Sequence, residues 1–177
     1  MVATIPSDAG LAVIDVQARL VPAIAGNAAL LANVRRLIEA AGLLGLPVCA
    51  TEQNPAGLGP SVPDLLPPEV PVFEKATFDS THVEAFADWC AARSGIVVCG
   101  MEAHVCLLQT VLGLMASKQP VFVVRDAVGS RKTSDRDAAI ARMRAAGAAL
   151  VTTEMVLFEW LGSSDHPRFR EVLRLVK

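Results

Sequence analysis

The sequence predicts an α/β fold: a three-layer α/β/α sandwich around a six-stranded, mainly parallel sheet, Rossmann-like in plan. Three observations predict it. Short apolar runs such as GLAVIDVQ alternate with helical stretches, a pattern that calls for right-handed βαβ crossovers and a sheet covered on both faces. The runs are almost continuously apolar, as in strands buried on both sides, rather than apolar at every second position. The 177 residues, 53% of them hydrophobic, are enough for one domain over 1–177 with a full core.

The elements follow in order. GLAVIDVQ (10–17) is the first strand. After a loop holding Pro22 and Gly26, Asn27 is placed to cap a helix running to Leu44. Leu30, Leu31, Val34, Leu37, Ile38 and Ala41 fall on one face of it. PVCAT (47–51) is the second strand. Residues 52–71 carry six prolines and three charges and read as a long irregular connection, the kind that forms lids or binding loops. VPVFEK (70–75) is a third strand and HVEAFADWCAAR a helix. GIVVCG is the fourth strand, followed by the helix HVCLLQTVLGLMASK with Leu107, Leu108, Val111, Leu114 and Met115 inward. PVFVVRD is the fifth strand, SDRDAAIARMRAAG a helix ended by Gly147, and AALVTT the sixth strand. EMVLFEWLG and PRFREVLRLVK are helices.

Composition narrows the function classes. A net charge of −2 offers no basic patch for phosphates, so nucleic acid is not an expected partner. The N-terminal MVATIPSDAG has neither a basic nor an apolar segment of the kind that directs secretion. The longest apolar stretch, AAGLLGLPVCA, contains a proline and is far short of the ~20 residues that span a membrane. Cys49, Cys90, Cys99 and Cys106 form no C-x-x-C pair and no zinc spacing with the histidines, so they read as free thiols of a cytoplasmic protein without a metal or other cofactor. The apolar surplus fits a homo-oligomer, a dimer or tetramer.

In a parallel sheet, ligands sit beyond the carboxyl ends of the strands. No G-x-G-x-x-G follows the first strand and no G-x-x-x-x-G-K-[ST] occurs, which removes the main support for dinucleotide or nucleoside triphosphate binding. What stands at the strand ends is Asp15 and Gln17; Thr51, Glu52 and Gln53; Glu74 and Lys75; Gly100, Met101 and Glu102; Asp126; and Thr152, Thr153 and Glu154. The chemically able groups among them, with the helix that follows the fourth strand, are a carboxylate, an ammonium and a thiol. Cys99 lies inside a strand and reads as a small buried hydrophobe. Cys106 lies just inside the following helix, where backbone N–H groups and the helix dipole favour a thiolate and draw a thiol below its free pKa of about 8.5. Cys106 is the candidate nucleophile. His104, two residues away, does not face it on a helix and reads as a cap or pocket-lining residue; Asp15 is the candidate base. Arg125 and Arg131 would meet an anionic substrate or pair with Asp126 and Asp135. Trp89, Phe158 and Trp160 read as core or subunit contacts.

LAVIDVQARL, FEKATFDS and VVCGMEAHVCLLQT resemble the three motifs of the isochorismatase-like cysteine hydrolases. TEQNPAGLGP, RDAVGSR and ARMRAAGAALVTTEMVLFEWLG are similar to the isochorismatase-domain-containing subgroup. The resemblance runs from about residue 10 to 177 and implies an Asp15–Lys75–Cys106 triad. It also implies a cis peptide between Met101 and Glu102 that aims the Glu102 N–H, beside that of Cys106, into an oxyanion hole. Gln17, Leu20, Gln53, Phe78 and Val105 are the expected substrate-binding residues, with the 52–71 loop shaping substrate choice. Many family members have threonine where this chain has Ala103. The metal-binding histidines of nicotinamidases have no counterpart in 52–74, and Leu20 stands where those enzymes place a phenylalanine, so nicotinamide is not the expected substrate. Isochorismatases acting on a vinyl ether generally lack the cysteine this chain has.

The resemblance implies hydrolysis of a small-molecule, non-peptide C–N bond through a cysteine thioester. Lys75 would stabilise the thiolate, but it also weakens Asp15 as a base, and burial of Asp15 acts in the opposite sense. Two rivals stand beside this reading: a redox-active thiol at Cys106 with Cys99 as a poor resolving partner, and a catalytically silent α/β interaction module.

Overall fold

The computed structural model describes residues 4–177; the N-terminal part of the leader reading, residues 1–3, lies outside the described residues. Six strands, β1 (Gly10–Ile14), β2 (Val48–Gln53), β3 (Val72–Lys75), β4 (Ile96–Met101), β5 (Val121–Gly129) and β6 (Ala149–Val151), form one sheet in the order β3-β2-β1-β4-β5-β6. Every adjacent pair is parallel. Helices α1 (Asn27–Leu44), α6 (Thr153–Leu161) and α7 (Phe169–Leu175) cover one face; α3 (Glu84–Ala91), α4 (Leu108–Ala116) and α5 (Thr133–Ala145) cover the other. A short helix, α2 (Pro55–Leu58), interrupts the proline-rich connection expected to be irregular.

The two-sided burial follows from strand alternation. In β1, Leu11 and Val13 join the α1 layer, while Ala12 and Ile14 join the α4 layer. In β4, Val97 and Cys99 face α1, while Ile96 and Val98 face α4. Cys99 is therefore the buried small hydrophobe the sequence indicated, and Cys106 packs on the opposite side of the sheet.

Several boundaries differ from the sequence reading, each for a local reason. β1 stops at Ile14 because Asp15 takes φ 49°, in the left-handed region, and turns the chain off the sheet. Gly26 (φ 69°), not Asn27, caps α1; Asn27 is its first residue, and its side-chain amide donates to the Val21 carbonyl at 3.1 Å. The helix after β4 opens with a wide π turn, Ala103–Leu107, closed by Leu107 N–H donating to the Glu102 carbonyl at 3.3 Å. β5 continues past Asp126 to Gly129, because its pairing with β4 jumps from Val98↔Val123 to Gly100↔Val128 and the extra residues bulge outward. Asp126 does not close the strand; its carboxylate accepts from the Thr153 N–H (2.8 Å) and hydroxyl (3.1 Å) at the start of α6.

Candidate active site

β1 lies between β2 and β4, where successive connections leave the sheet to opposite faces, the usual place for a crevice in an open parallel sheet. Close approach at this point requires glycine. A Cβ on Gly100, whose φ is 120°, would lie 2.1 Å from the Ile14 carbonyl oxygen. The end of β4 is thereby held against the residue that precedes Asp15.

Asp15 is fully buried and holds a positive φ, an uncommon conformation that aspartate tolerates better than most residues. Its N–H donates to the Thr51 carbonyl at 3.2 Å. One carboxylate oxygen accepts from the Thr51 hydroxyl at 2.6 Å, and the other accepts from Lys75 Nζ at 2.7 Å. Both side chains of the Asp15–Lys75 ion pair are shut from solvent. Lys75 reaches this point because β3 pairs with β2 in a register that sets Lys75 beside Gln53. Gln53 Oε1 accepts a second Lys75 hydrogen bond at 2.9 Å and lies 3.9 Å from the Cys106 sulfur.

Cys106 comes from the π turn and is buried, with 6% of its surface exposed. Its thiol is not drawn down as its place near a helix start predicts; it is pushed up to about 12. Burial is the largest cause, and the neighbouring Asp15 carboxylate adds to it. The Lys75 ammonium acts in the opposite sense and is outweighed. Burial likewise raises Cys49, Cys90 and Cys99.

The structure thus brings Asp15, Lys75 and Cys106 together, with Gln53 among them. Gln17 is buried one step away and forms a reciprocal pair with Gln53: its Oε1 accepts from the Gln53 N–H (2.9 Å), and its Nε2 donates to the Gln53 carbonyl (3.0 Å) and the Gly59 carbonyl (2.6 Å). The Met101–Glu102 peptide is cis. Leu20 is partly buried against the α1 layer and Val105 against the α4 layer, while Phe78 is half-exposed beyond β3. A cleft of about 450 Å³ lined by Gln53, Asn54, Pro55, Glu74, Lys75 and Ala76 adjoins the cluster. His104 faces Ser130, its Nδ1 lying 2.9 Å from the hydroxyl. Arg131 pairs with Glu102 at 2.8 Å rather than with Asp126 or Asp135. Among the described residues no group of three or more His, Cys, Asp or Glu is placed to hold a metal, and no helix is long and apolar enough to cross a membrane.

Thr51 stands at a strand end in the sequence with no role of its own; a hydroxyl beside an aspartate-ending strand is the signal for its contact with Asp15. The inward turn of Gln53 toward Lys75 had no such signal, because it depends on the β2–β3 register.

The profile of the isochorismatase domain matches residues 9–155. The chain belongs to the isochorismatase family. Isochorismatase domain-containing protein 2 of Xenopus laevis is 40% identical over 143 residues, covering 80% of this chain and 70% of that protein. The structure of MAR1 ribonuclease from Caenorhabditis elegans superposes with a TM-score of 0.94 at 39% identity, covering 98% of this chain and 92% of that one. YcaC of Escherichia coli, described as an octameric hydrolase of unknown specificity, superposes with a TM-score of 0.83 at 27% identity, covering 95% and 93%. Family and fold support a hydrolase.

Proposed function

We propose that this isochorismatase-family protein is a cysteine hydrolase cleaving a non-peptide C–N bond of a small amide, without a metal or cofactor. The observation that carries the reading is the convergence of a buried Lys75–Asp15 ion pair on the Cys106 sulfur. A thiol held as high as this one needs a base at the moment of attack, and Asp15 is the carboxylate beside it. Asp15 takes the thiol proton as the sulfur bonds to the acyl carbon, and the carbonyl π electrons move to its oxygen. The N–H groups of Glu102 and Cys106 would receive that oxyanion. Collapse expels the amine, which leaves with the proton from Asp15. A water deprotonated by Asp15 then cleaves the thioester, returning the proton to sulfur and releasing the acid. Lys75 offsets the negative charge as it moves from carboxylate to sulfur. Leu20, Phe78 and Val105 would line the acyl side, while Gln17 and Gln53, whose side-chain groups are taken up by the Gln53 backbone, Gly59, Ala76 and Lys75, would support the pocket from behind.

The same reading places the protein in the cytoplasm as one domain that pairs with copies of itself. The apolar composition, the exposed Val72 and Phe78 near one sheet edge, and the exposed Met155 and Phe158 on α6 support that assembly. The redox rival loses its resolving partner, since Cys99 and Cys106 pack on opposite faces of the sheet.

A second reading, RNA cleavage, is favoured by the description of the Caenorhabditis elegans relative as a ribonuclease. The net charge of −2 weighs against it. The test is ammonia or amine release from an amide panel, run beside an RNA degradation assay, on the parent protein, Cys106→Ala and Cys99→Ala. Amide turnover that vanishes in Cys106→Ala and survives in Cys99→Ala is expected. Full amide turnover in Cys106→Ala, or RNA cleavage with no amide turnover, overturns the proposal.

A further inference from the structure

Lys75 has three N–H donors. One goes to Asp15 and one to Gln53, which leaves a third for the sulfur or for a charge that develops there. The Gln53 amide that takes the second donor is not free to turn. Its Nε2 donates to the Ala76 carbonyl at 2.7 Å, so reversing the amide would set NH2 against the ammonium and carbonyl against carbonyl. Its backbone N–H and C=O are both held by the Gln17 side chain. A neutral oxygen is thereby fixed 2.9 Å from Nζ and 3.9 Å from Sγ, within the range of a weak S–H donor.

We infer that Gln53 is a positioning residue: its immobile carbonyl oxygen accepts from both Lys75 and the Cys106 thiol, and so sets how the ammonium is divided between Asp15 and the sulfur. This rests on the reading of Cys106 as nucleophile and deepens it. Gln53 cannot take the proton itself, which leaves that step to Asp15, but it decides how much of the Lys75 charge the sulfur feels.

Asp15 from the end of β1 and Lys75 from β3 are the charged groups that face the sulfur. The other ionisable groups on the packed elements are turned away. Glu52 on β2 accepts from the Ser61 N–H and hydroxyl. Glu102 holds Arg131, His104 faces Ser130, and Glu74 is exposed. Changing the charge or the acceptor at position 53 therefore has an effect of determined sign.

The test uses the full chain and iodoacetamide, following alkylation of Cys106 by mass spectrometry as a function of pH in the parent, Gln53→Met and Gln53→Glu. The three side chains are similar in size. Gln53→Met removes the acceptor and frees a Lys75 donor for the sulfur, so the profile moves to lower pH and the rate at pH 8 rises about tenfold, the equivalent of one pKa unit. Gln53→Glu sets a second carboxylate beside Lys75, so the profile moves to higher pH and the rate falls about tenfold. A role limited to holding the loop would move both variants the same way, since loosening exposes the sulfur in each. Shifts of the same sign, or rates within twofold of the parent, overturn the inference. Should either variant fail to fold, the unmutated protein decides: alkylating Cys106 must displace the Gln53 side-chain amide resonances, and unmoved resonances overturn it equally. None of this requires a substrate. If Cys106→Ala retains full amide turnover, the nucleophile reading fails while the alkylation result stands apart from it.

Discussion

Removing one member of the Asp15–Lys75 pair should cost more stability than removing both costs per residue, and the size of that coupling follows from the geometry. The charges lie 2.7 Å apart with both side chains shut from solvent. At an effective dielectric of about 20 they attract by roughly 6 kcal/mol. Lys75→Met leaves a buried carboxylate with the Thr51 hydroxyl as its remaining side-chain partner; Asp15→Asn leaves a buried ammonium facing Gln53. Stranding a buried charge in this way costs about 3–5 kcal/mol in each case. The double variant strands none, so its cost should be about that of one single variant rather than their sum. Urea denaturation of the four proteins at pH 7, extrapolated linearly to water, measures the cycle, and a coupling of about 3–5 kcal/mol is expected. A coupling under about 1 kcal/mol, the range of exposed pairs, would refute the buried arrangement on which the chemistry is built.

Alkaline pH should destabilise the fold through its thiols. All four are raised above the free-thiol value in the folded chain, so folded protein keeps protons that unfolded protein sheds. Stability is then intact below about pH 8 and falls above it, by about 1.5–2 kcal/mol per thiol at pH 10 and about 6–8 kcal/mol for the four. The chain has no tyrosine to blur the effect. Urea midpoints at pH 8 and 10 measure it; Cys106→Ala should remove about a quarter of the loss, and a flat profile would contradict the burial. Gly100→Ala should lose about 3 kcal/mol or more, or fail to express in folded form, because its Cβ would meet the Ile14 backbone. Gly42→Ala, in the last turn of α1 with nothing within 4 Å of the added carbon, should gain about 0.4–1 kcal/mol in the same denaturation assay. Finally, a sulfur that holds its proton at neutral pH must lose it during attack. The amide turnover of the proposed reaction should therefore slow in deuterium oxide at the level of kcat/KM, and an unchanged kcat/KM would contradict proton transfer in the acylation step.

The layers of the fold were legible because the strands carry continuous apolar runs and the helices carry one-sided ones. α1 was legible from a capping residue and one-sided periodicity as a helix running from an Asn27 cap to about Leu44; the structure ends it at Leu44 but starts it one residue earlier, with Gly26 as the cap. Boundaries set by backbone geometry were not legible. Nothing in the residue types announces that Asp15 adopts a positive φ, that β5 bulges at Arg125 and Asp126, or that the helix bearing Cys106 begins with a π turn. The last of these also explains the misjudged thiol. A helix N-terminus lowers a thiol where the first turn is exposed, whereas Cys106 sits deep in a widened turn where burial and a neighbouring carboxylate outweigh Lys75. Asp15 and Lys75 could be found as polar residues closing apolar strands. Gln53 was noticed for the same reason, but its contact with Lys75 is a consequence of strand register that no pattern in one sequence displays.

The order of the strands gives the cluster its logic. Four neighbours, β3, β2, β1 and β4, each deliver one group at the same edge: Lys75, Gln53, Asp15 and, through the turn after β4, Cys106. In sequence the positions are 75, 53, 15 and 106, an arrangement with no local signature; along the sheet edge they are consecutive. An ammonium and a carboxylate drawn from β3 and β1 must span the strand between them, and that strand's own residue has to be polar, uncharged and unable to compete for the proton. A carboxylate there would divide the ammonium away from Asp15, and an apolar side chain would leave an Nζ donor with the sulfur as its remaining acceptor. A side-chain amide whose NH2 is held by the Ala76 carbonyl, on a residue whose backbone is held by Gln17, meets all three requirements. The sheet topology therefore accounts for why the residue between the charged pair is a glutamine with no rotational freedom, and why its replacement should be read at the sulfur.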